Sequence, residues 1–160
     1  MKQNSTFDDL KDLAQFWEDI VDQNSERFSK NILRKLFTLN YAPNSMWNYF
    51  ISVYYMANRN KNGDLNAKEF EIFLDRTIAF IWGYAIIHPG VNALRTPLFA
   101  EMLNIVNLNE VTFSEFKFNK EKTRSAIVIY DFKNGRPITK SMLALRMMLN
   151  NEQVLPKLSQ

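Results

Sequence analysis

Residues 58–70, NRNKNGDLNAKEF, have the spacing of a calcium-binding EF-hand loop. Gly63, Leu65 and Glu69 stand where that motif has its turn, its core anchor and its bidentate carboxylate. Calcium prefers negatively charged oxygen ligands, but the first, third and fifth positions hold asparagine instead of aspartate. The basic side chains of the loop also outnumber its acids. We therefore predict that calcium does not bind, and we interpret the segment as a connection between two helices.

Two clusters of basic residues could contact a polyanion such as a nucleic-acid backbone. The first is interleaved with phenylalanines at 116 and 118 and comprises Lys117, Lys120, Lys122 and Arg124, followed by Lys133, Arg136 and Lys140. The second has helical spacing and comprises Arg27, Lys30, Arg34 and Lys35. Such clusters can neutralise phosphates and make binding salt-dependent. For either cluster taken singly, a solvated helix face is the simpler interpretation.

Two further residues could act at a site. His88, the single histidine, precedes a proline, and we interpret it as a residue that ends a helix rather than as a general base. Arg95 precedes Thr96 and could bind an anion there or pair with a neighbouring carboxylate. The sequence contains no glycine-rich phosphate loop, nucleophile elbow or zinc-ligand pair, and it has no cysteine. We predict no catalytic residue, metal ligand or cofactor in this segment.

The composition is that of one folded domain. At 160 residues the chain can bury a core, and its hydrophobic content of 46%, with 13 Phe, 6 Tyr and 3 Trp, supports a large one. The net charge of +3 permits contact with nucleic acid but does not argue strongly for it. Without an apolar run of membrane-spanning length or a signal peptide, we expect no membrane partner and a cytoplasmic location.

Hydrophobic periodicity predicts helices along most of the chain. Thr6 and Ser25 are the predicted caps of the first two helices, which are amphipathic and should lie on the surface of a bundle. The segment 46–56 is apolar nearly all round, as a central helix would be, and 67–87 is one long helix. Thr96, followed by a proline at the first helical position, is predicted to cap the next helix.

The C-terminal third of the chain is harder to interpret. The segment 111–132 is rich in β-branched and aromatic residues and could form a short hairpin, but we favour a helix over 122–132. A last helix is predicted over 138–149, and 151–160 is interpreted as an exit segment. The fold class is therefore all-α, a single-domain array of about six or seven helices.

The order of these features resembles the helical region of GmrSD-type proteins. The similarity lies in five stretches distributed from about Phe7 to Leu158, FDDLKDLAQFWEDI, MWNYFISVYYMA, EFEIFLDRTIAFIWGYAII, NALRTPLFAEMLNIV and ITKSMLALRMML. Members of that family are bacterial, modification-dependent restriction endonucleases that act against phage DNA. They contain a ParB/sulfiredoxin-like nucleotide-hydrolysing domain, a helical region and a C-terminal HNH nuclease domain.

The resemblance carries no catalytic residue over to this chain. Neither the D-G-Q-Q-R type motif of the N-terminal domain nor the E-H-I-x-P motif of the HNH domain occurs in the sequence. The resemblance therefore implies a non-catalytic coupling domain between ParB-like and HNH domains of one larger protein, whose nucleotide and divalent metal would be held elsewhere. Its basic faces would be available to DNA. The alternative is a free-standing helical adaptor that binds a protein partner.

Overall fold

The computed structural model of the protein describes residues 5–88, 92–114 and 119–129, and within these ranges it contains six helices and no strand. The helices are α1 (Ser5–Val21), α2 (Lys30–Leu39), α3 (Met46–Asn58), α4 (Ala67–Ile87), α5 (Arg95–Val106) and α6 (Lys120–Ile129). The all-α, single-domain prediction is thereby confirmed. The helix predicted over 138–149 and the exit segment 151–160 lie outside the described residues.

The helices pack in two groups that share an aromatic core. α3 packs against α1 and α5, while α4 packs against α2 and α6. Stacked rings join the groups, because Tyr54 of α3 lies 3.8 Å from Phe73 of α4 between ring centroids. On the other side of α3, Tyr55 stacks on Phe16 of α1 at 4.1 Å, and both rings are fully buried. Stacked aromatic pairs of this kind add to the free energy gained from burial alone.

Helix α4 is the central element, and its bounds match those predicted from the sequence. Its N-cap residue is Asn66, whose side-chain oxygen accepts a hydrogen bond of 3.2 Å from the amide of Glu69. Ten of its residues are buried, on more than one face: Phe70, Phe73, Leu74, Thr77, Ile78, Phe80, Ile81, Trp82, Ala85 and Ile86. It ends at His88, whose amide donates to the carbonyl of Tyr84. The prediction that His88 ends the helix is confirmed.

Three predicted helix caps are wrong. Thr6 lies inside α1, which already includes Ser5. Ser29, not Ser25, caps α2, and its hydroxyl accepts a bond of 3.3 Å from the amide of Ile32. Thr96 is the second residue of α5 rather than its cap. Ser29 is as good a cap as Ser25, so propensity alone does not choose between them, whereas the N-cap of α5 is Leu94, which makes no side-chain cap hydrogen bond.

Two amphipathic faces also differ from the prediction. The helical spacing of apolar residues predicts a buried stripe of α1 that comprises Leu10, Leu13, Trp17, Ile20 and Val21. The fully buried residue of α1 is instead Phe16, whereas Leu10 and Val21 are exposed. α3 buries one face rather than lying at the centre of the bundle, since its Tyr49 is exposed. α3 packs against α1 and α5 and, through Tyr54, against Phe73 of α4.

Most of the described residues of the ambiguous segment after α5 are helical, namely residues 120–129. α6 confirms the helix favoured from residue 122 as far as its end at Ile129. Before it, Val111 and Phe113 are buried in the core without forming a strand. α6 itself is lightly packed, touching Ala85 and Ile86 of α4 through Ala126. No helix within the described ranges is long and apolar enough to cross a membrane.

Candidate functional site

The loop with calcium spacing is closed by hydrogen bonds of its own chain. The side-chain oxygen of Asn60 accepts from the amides of Asn62 and Asp64 at 2.8 and 2.9 Å, which forms an Asx turn. Gly63 has a φ of +81°, the left-handed conformation that glycine adopts without strain. Its carbonyl oxygen accepts a 3.0 Å bond from the hydroxyl of Tyr55. The loop therefore has a defined shape set by residues of the protein.

Arg27 supplies a positive charge to this loop from another part of the chain. Its Nη2 donates to the Gly63 carbonyl at 2.6 Å and to the Tyr55 hydroxyl at 3.4 Å, and its Nη1 forms an ion pair with Asp19 at the end of α1. The side chains of Arg27 and Asp19 are only 19% and 12% exposed. One guanidinium thus joins α1, α3 and the loop. Arg27 was predicted as a DNA contact, and its donor groups point into the fold.

The carboxylate of Asp19 is stabilised in its charged form. A hydrogen bond from Asn24, followed by the hydrogen bond and charge of Arg27, holds the pKa of Asp19 below its ordinary value, although burial acts in the opposite direction. Asn24 donates to Asp19 at 2.8 Å. No sequence motif marks Asp19 or Tyr55 as partners of Arg27, because the three residues are brought together only by the packing of α1 against α3.

The other residues of the second basic cluster divide into one paired lysine and two unpaired cations. Lys35 binds Glu71 at 3.0 Å and Asp75 at 2.8 Å, both on α4. Burial lowers the pKa of Lys35, but its hydrogen bonds to Asp75 and Glu71 outweigh that effect and raise the pKa overall. Lys30 is exposed and Arg34 partly exposed, and neither forms an ion pair with the described part of the chain.

Arg59, the second residue of the loop, holds α1 against the end of α3. Its guanidinium binds the carboxylates of Asp9 and Asp12, with a distance of 3.1 Å from Nε to Asp12, and donates to the carbonyl of Met56 at 2.8 Å. Acids near the start of a helix also interact favourably with its N-terminus. The spacing of three residues between Asp9 and Asp12, which places both on one helix face, was the available sign of a shared cationic partner.

The cations of α6 have a different environment. Lys120, Lys122 and Arg124 are all exposed, and none forms an ion pair with any described residue. Lys120 and Arg124 are four residues apart and therefore share a helix face, while Lys122 points elsewhere. Lys117, Lys133, Arg136 and Lys140 lie outside the described residues. The described part of the first cluster is an accessible positive surface that can attract a polyanion.

His88 and Arg95 do not form a site together with other charged residues. The ring of His88 lies 4.5 Å from that of Tyr84, one turn earlier in α4. Arg95 is the first residue of α5 and is exposed, without an ion pair to the part of the chain described. Among the described residues, no group of three or more His, Cys, Asp or Glu side chains is arranged to hold a metal ion.

Comparisons with known proteins find no match for this chain among family models, curated proteins or solved structures. The chemistry open to the molecule is therefore read from its own residues. The paired cations Arg27, Lys35 and Arg59 stabilise the fold. The exposed cations of α6 can bind negative charge from outside.

Proposed function

We propose that this chain is a non-catalytic helical coupling domain of a phage-defence, modification-dependent restriction endonuclease, and that α6 contacts the DNA backbone. The resemblance to the helical region of GmrSD-type proteins supports the first part. In that role, rigid helices hold a nuclease domain in a defined position relative to a nucleotide-hydrolysing domain. Coupling further requires two arrangements of the domains with different affinities for a ligand.

The observation that carries DNA contact is the unpaired positive face of α6. A cation that is already bound to a carboxylate loses that partner when it binds phosphate, and part of the gain is cancelled. Lys120 and Arg124 have no such partner among the described residues. Both are also exposed, whereas Arg34, which like Lys30 forms no ion pair within the described chain, is only partly exposed. Arg27 is the least well placed of the predicted residues because its guanidinium is bound inside the fold.

The test is a salt titration of duplex DNA binding, followed by fluorescence anisotropy. We expect a Kd of roughly 10⁻⁴ to 10⁻⁶ M at physiological salt, typical of non-specific binding. Each phosphate contact contributes about 0.9 to the slope of log K against log salt, so K120E/R124E should reduce the slope by about 1.8. K122E should reduce it less, because Lys122 points away from the shared face.

The matched control is K11E/K68E, which makes the same change of charge at two other exposed lysines on α1 and α4. Both double variants should keep their unfolding free energy within about 0.5 kcal/mol, as surface substitutions usually do. If K120E/R124E binds DNA with the affinity and salt slope of the unaltered protein, α6 is not the contact. If both double variants weaken binding equally, only net charge matters and the assignment to α6 fails.

The coupling role is tested by the reading frame of the native gene on both sides of this segment. A frame that continues into an E-H-I-x-P motif supports the coupling domain, and DNA cleavage is then measured on the intact protein. A start codon at Met1 with a stop codon after Gln160 contradicts it. The DNA-binding result stands independently of this outcome.

A second candidate, the free-standing adaptor, is favoured by an apolar groove between α1, α3 and α5. The groove has a volume of about 500 Å³ and is lined by Leu13, Ser52, Val53, Met56, Ala57, Ile105, Val106 and Leu108. Leu108 at its edge is 87% exposed. Exposed apolar grooves of this kind accept the apolar face of a partner helix. L108K should abolish binding of a helical partner, while V128K on the exposed side of α6 should not.

A further inference from the structure

Glu101 of α5 is a buried carboxylate that has no cationic partner among the residues the structure describes. The residue is 4% exposed, and its Oε2 accepts hydrogen bonds from the side chain of Asn104 at 3.1 Å and from the amide of Thr112 at 3.3 Å. No Lys, Arg or His among the described residues forms an ion pair with it. Buried charges are usually paired, since two neutral hydrogen bonds replace only part of the lost hydration.

The dipole of α5 does not supply the missing charge. Glu101 is the seventh residue of a helix that begins at Arg95, and the dipole acts mainly on groups within the first turn. Arg76, which takes part in the ion pair nearest to Glu101 in the sequence, is bound to a different carboxylate, that of Glu110. Within the described part of the chain, the carboxylate of Glu101 is therefore held only by the two hydrogen bonds from Asn104 and Thr112.

This carboxylate lines a cavity together with three aromatic side chains. The cavity has a volume of about 130 Å³ and is lined by Phe80, Tyr84, Thr96, Pro97, Ala100, Glu101 and Phe113. The rings of Phe80 and Phe113 stack at 4.2 Å with an interplanar angle of 8°, and the ring of Tyr84 lies 5.3 Å from that of Phe80. Aromatic faces beside a carboxylate are the surroundings in which organic cations bind.

The backbone at Phe113 is strained, and its ring, packed against Phe80, forms part of the cavity wall. Phe113 has a φ of +49°, which a bulky residue rarely adopts. The preceding residues are held on both sides, since Thr112 donates to Glu101 and Arg76 donates to the carbonyl of Val111 at 3.4 Å. Backbone strain of this kind persists where the surrounding structure enforces it, and it is concentrated at binding sites.

We propose that this cavity binds a small organic cation, an alkyl-guanidinium or alkyl-ammonium head group, with Glu101 as its counter-ion and the rings of Phe80, Tyr84 and Phe113 as its walls. The volume equals that of roughly four water molecules at about 30 Å³ each, which suits a head group of a few atoms rather than a whole drug-sized ligand. A single carboxylate offers too few oxygen ligands for Ca²⁺ or Mg²⁺. This site is independent of DNA binding by α6.

The test compares two probes that differ in charge but hardly in shape, methylguanidinium and methylurea. Each is titrated into the full chain, and the aromatic ¹H–¹³C NMR signals of the cavity residues are followed. We expect saturable shifts with methylguanidinium, with a Kd on the order of 1 mM for so small a ligand. Methylurea should cause no saturable shift. Equal titration curves for the two probes would overturn the proposal, and this arm needs no variant.

The variant that tests the counter-ion is E101Q. Glutamine keeps one oxygen that can accept from Thr112 and Asn104, replaces the other oxygen by an NH2 group and removes the negative charge, so methylguanidinium binding should weaken about tenfold. The control is E18Q, which removes an exposed charge on α1 and should leave binding unchanged. Undiminished binding by a folded E101Q protein would show that Glu101 is not the counter-ion.

Two further ligands identify the source of the head group. Agmatine represents a free metabolite-like cation, and N-acetyl-arginine amide represents an arginine side chain presented by a protein. Tighter binding of agmatine indicates a free small molecule, whereas tighter binding of the arginine derivative indicates a partner chain. Both results support the cation site. Failure of both ligands and of methylguanidinium to bind would refute it.

Discussion

The two basic clusters look alike in the sequence but have different environments in the structure. Arg27 and Lys35, like Arg59 in the loop, bind carboxylates that belong to other helices. The cations of α6 reach no carboxylate among the described residues. The comparison teaches that the partner of a cation, and not its presence in a cluster, decides whether it stabilises the fold or remains available to a ligand.

The largest expected loss of stability comes from replacing Arg27, the cation that contacts the most elements. R27M removes the ion pair to Asp19 and the hydrogen bond to Gly63, so we expect the unfolding free energy to fall by about 2–3 kcal/mol. The measurement is urea denaturation followed by circular dichroism. R34M, which removes an unpaired arginine from the same cluster, should change it by less than about 0.5 kcal/mol. Equal losses for the two variants would contradict the distinction.

A smaller effect is expected where a lysine joins α2 to α4. K35M leaves Glu71 and Asp75, one turn apart on α4, without their shared cation, and we expect a loss of about 1 kcal/mol. K30M, one turn earlier on α2, should have almost no effect. Both are measured by the same urea denaturation. A loss of stability in K30M that matches K35M would show that helix propensity, and not the ion pairs, is responsible.

The smallest effect is a change in the pH dependence of stability. Because the pKa of Asp19 is lowered in the folded protein, its charge contributes stability above its ordinary value of 3.8, and that contribution is lost as the pH falls through the lowered pKa. D19N should therefore be less stable than the unaltered protein at neutral pH, with a gap that narrows below pH 3.8. Thermal melts between neutral and acidic pH measure this. If the difference in stability between D19N and the unaltered protein stays the same at all pH values, Asp19 does not contribute to the pH dependence of stability.

The fold was more predictable than its details. The bounds of α4 followed from its long apolar pattern and from the proline that follows His88, and the structure adds Asn66 as its N-cap. The start of α2 did not, because Ser25 and Ser29 are both good caps and only the packing of Phe28 against Phe16 selects the later one. Local propensity decides the type of an element, whereas tertiary contacts decide where it begins.

The candidate sites were less predictable, since they depend on contacts between distant residues. The roles of Arg27 and Lys35 follow from partners 36 and 40 positions away, which no spacing rule connects. The burial of Glu101 is easier to predict from the sequence, because the residue lies three positions after Leu98 and one before Met102, within the buried stripe of α5. An acidic residue inside an apolar stripe is the pattern by which such a carboxylate can be found.

The contact between Arg27 and the carbonyl of Gly63 also has a consequence for how the loop responds to its surroundings. In a calcium-dependent loop, order is an equilibrium with the solution, and a chelator can withdraw the ion. Here the positive charge is the guanidinium of Arg27, which belongs to the same chain, so its local concentration does not depend on the solution. The shape of the loop therefore depends on the contacts that Arg27 makes with Asp19 of α1 and Tyr55 of α3, so a change in either helix also reaches the loop.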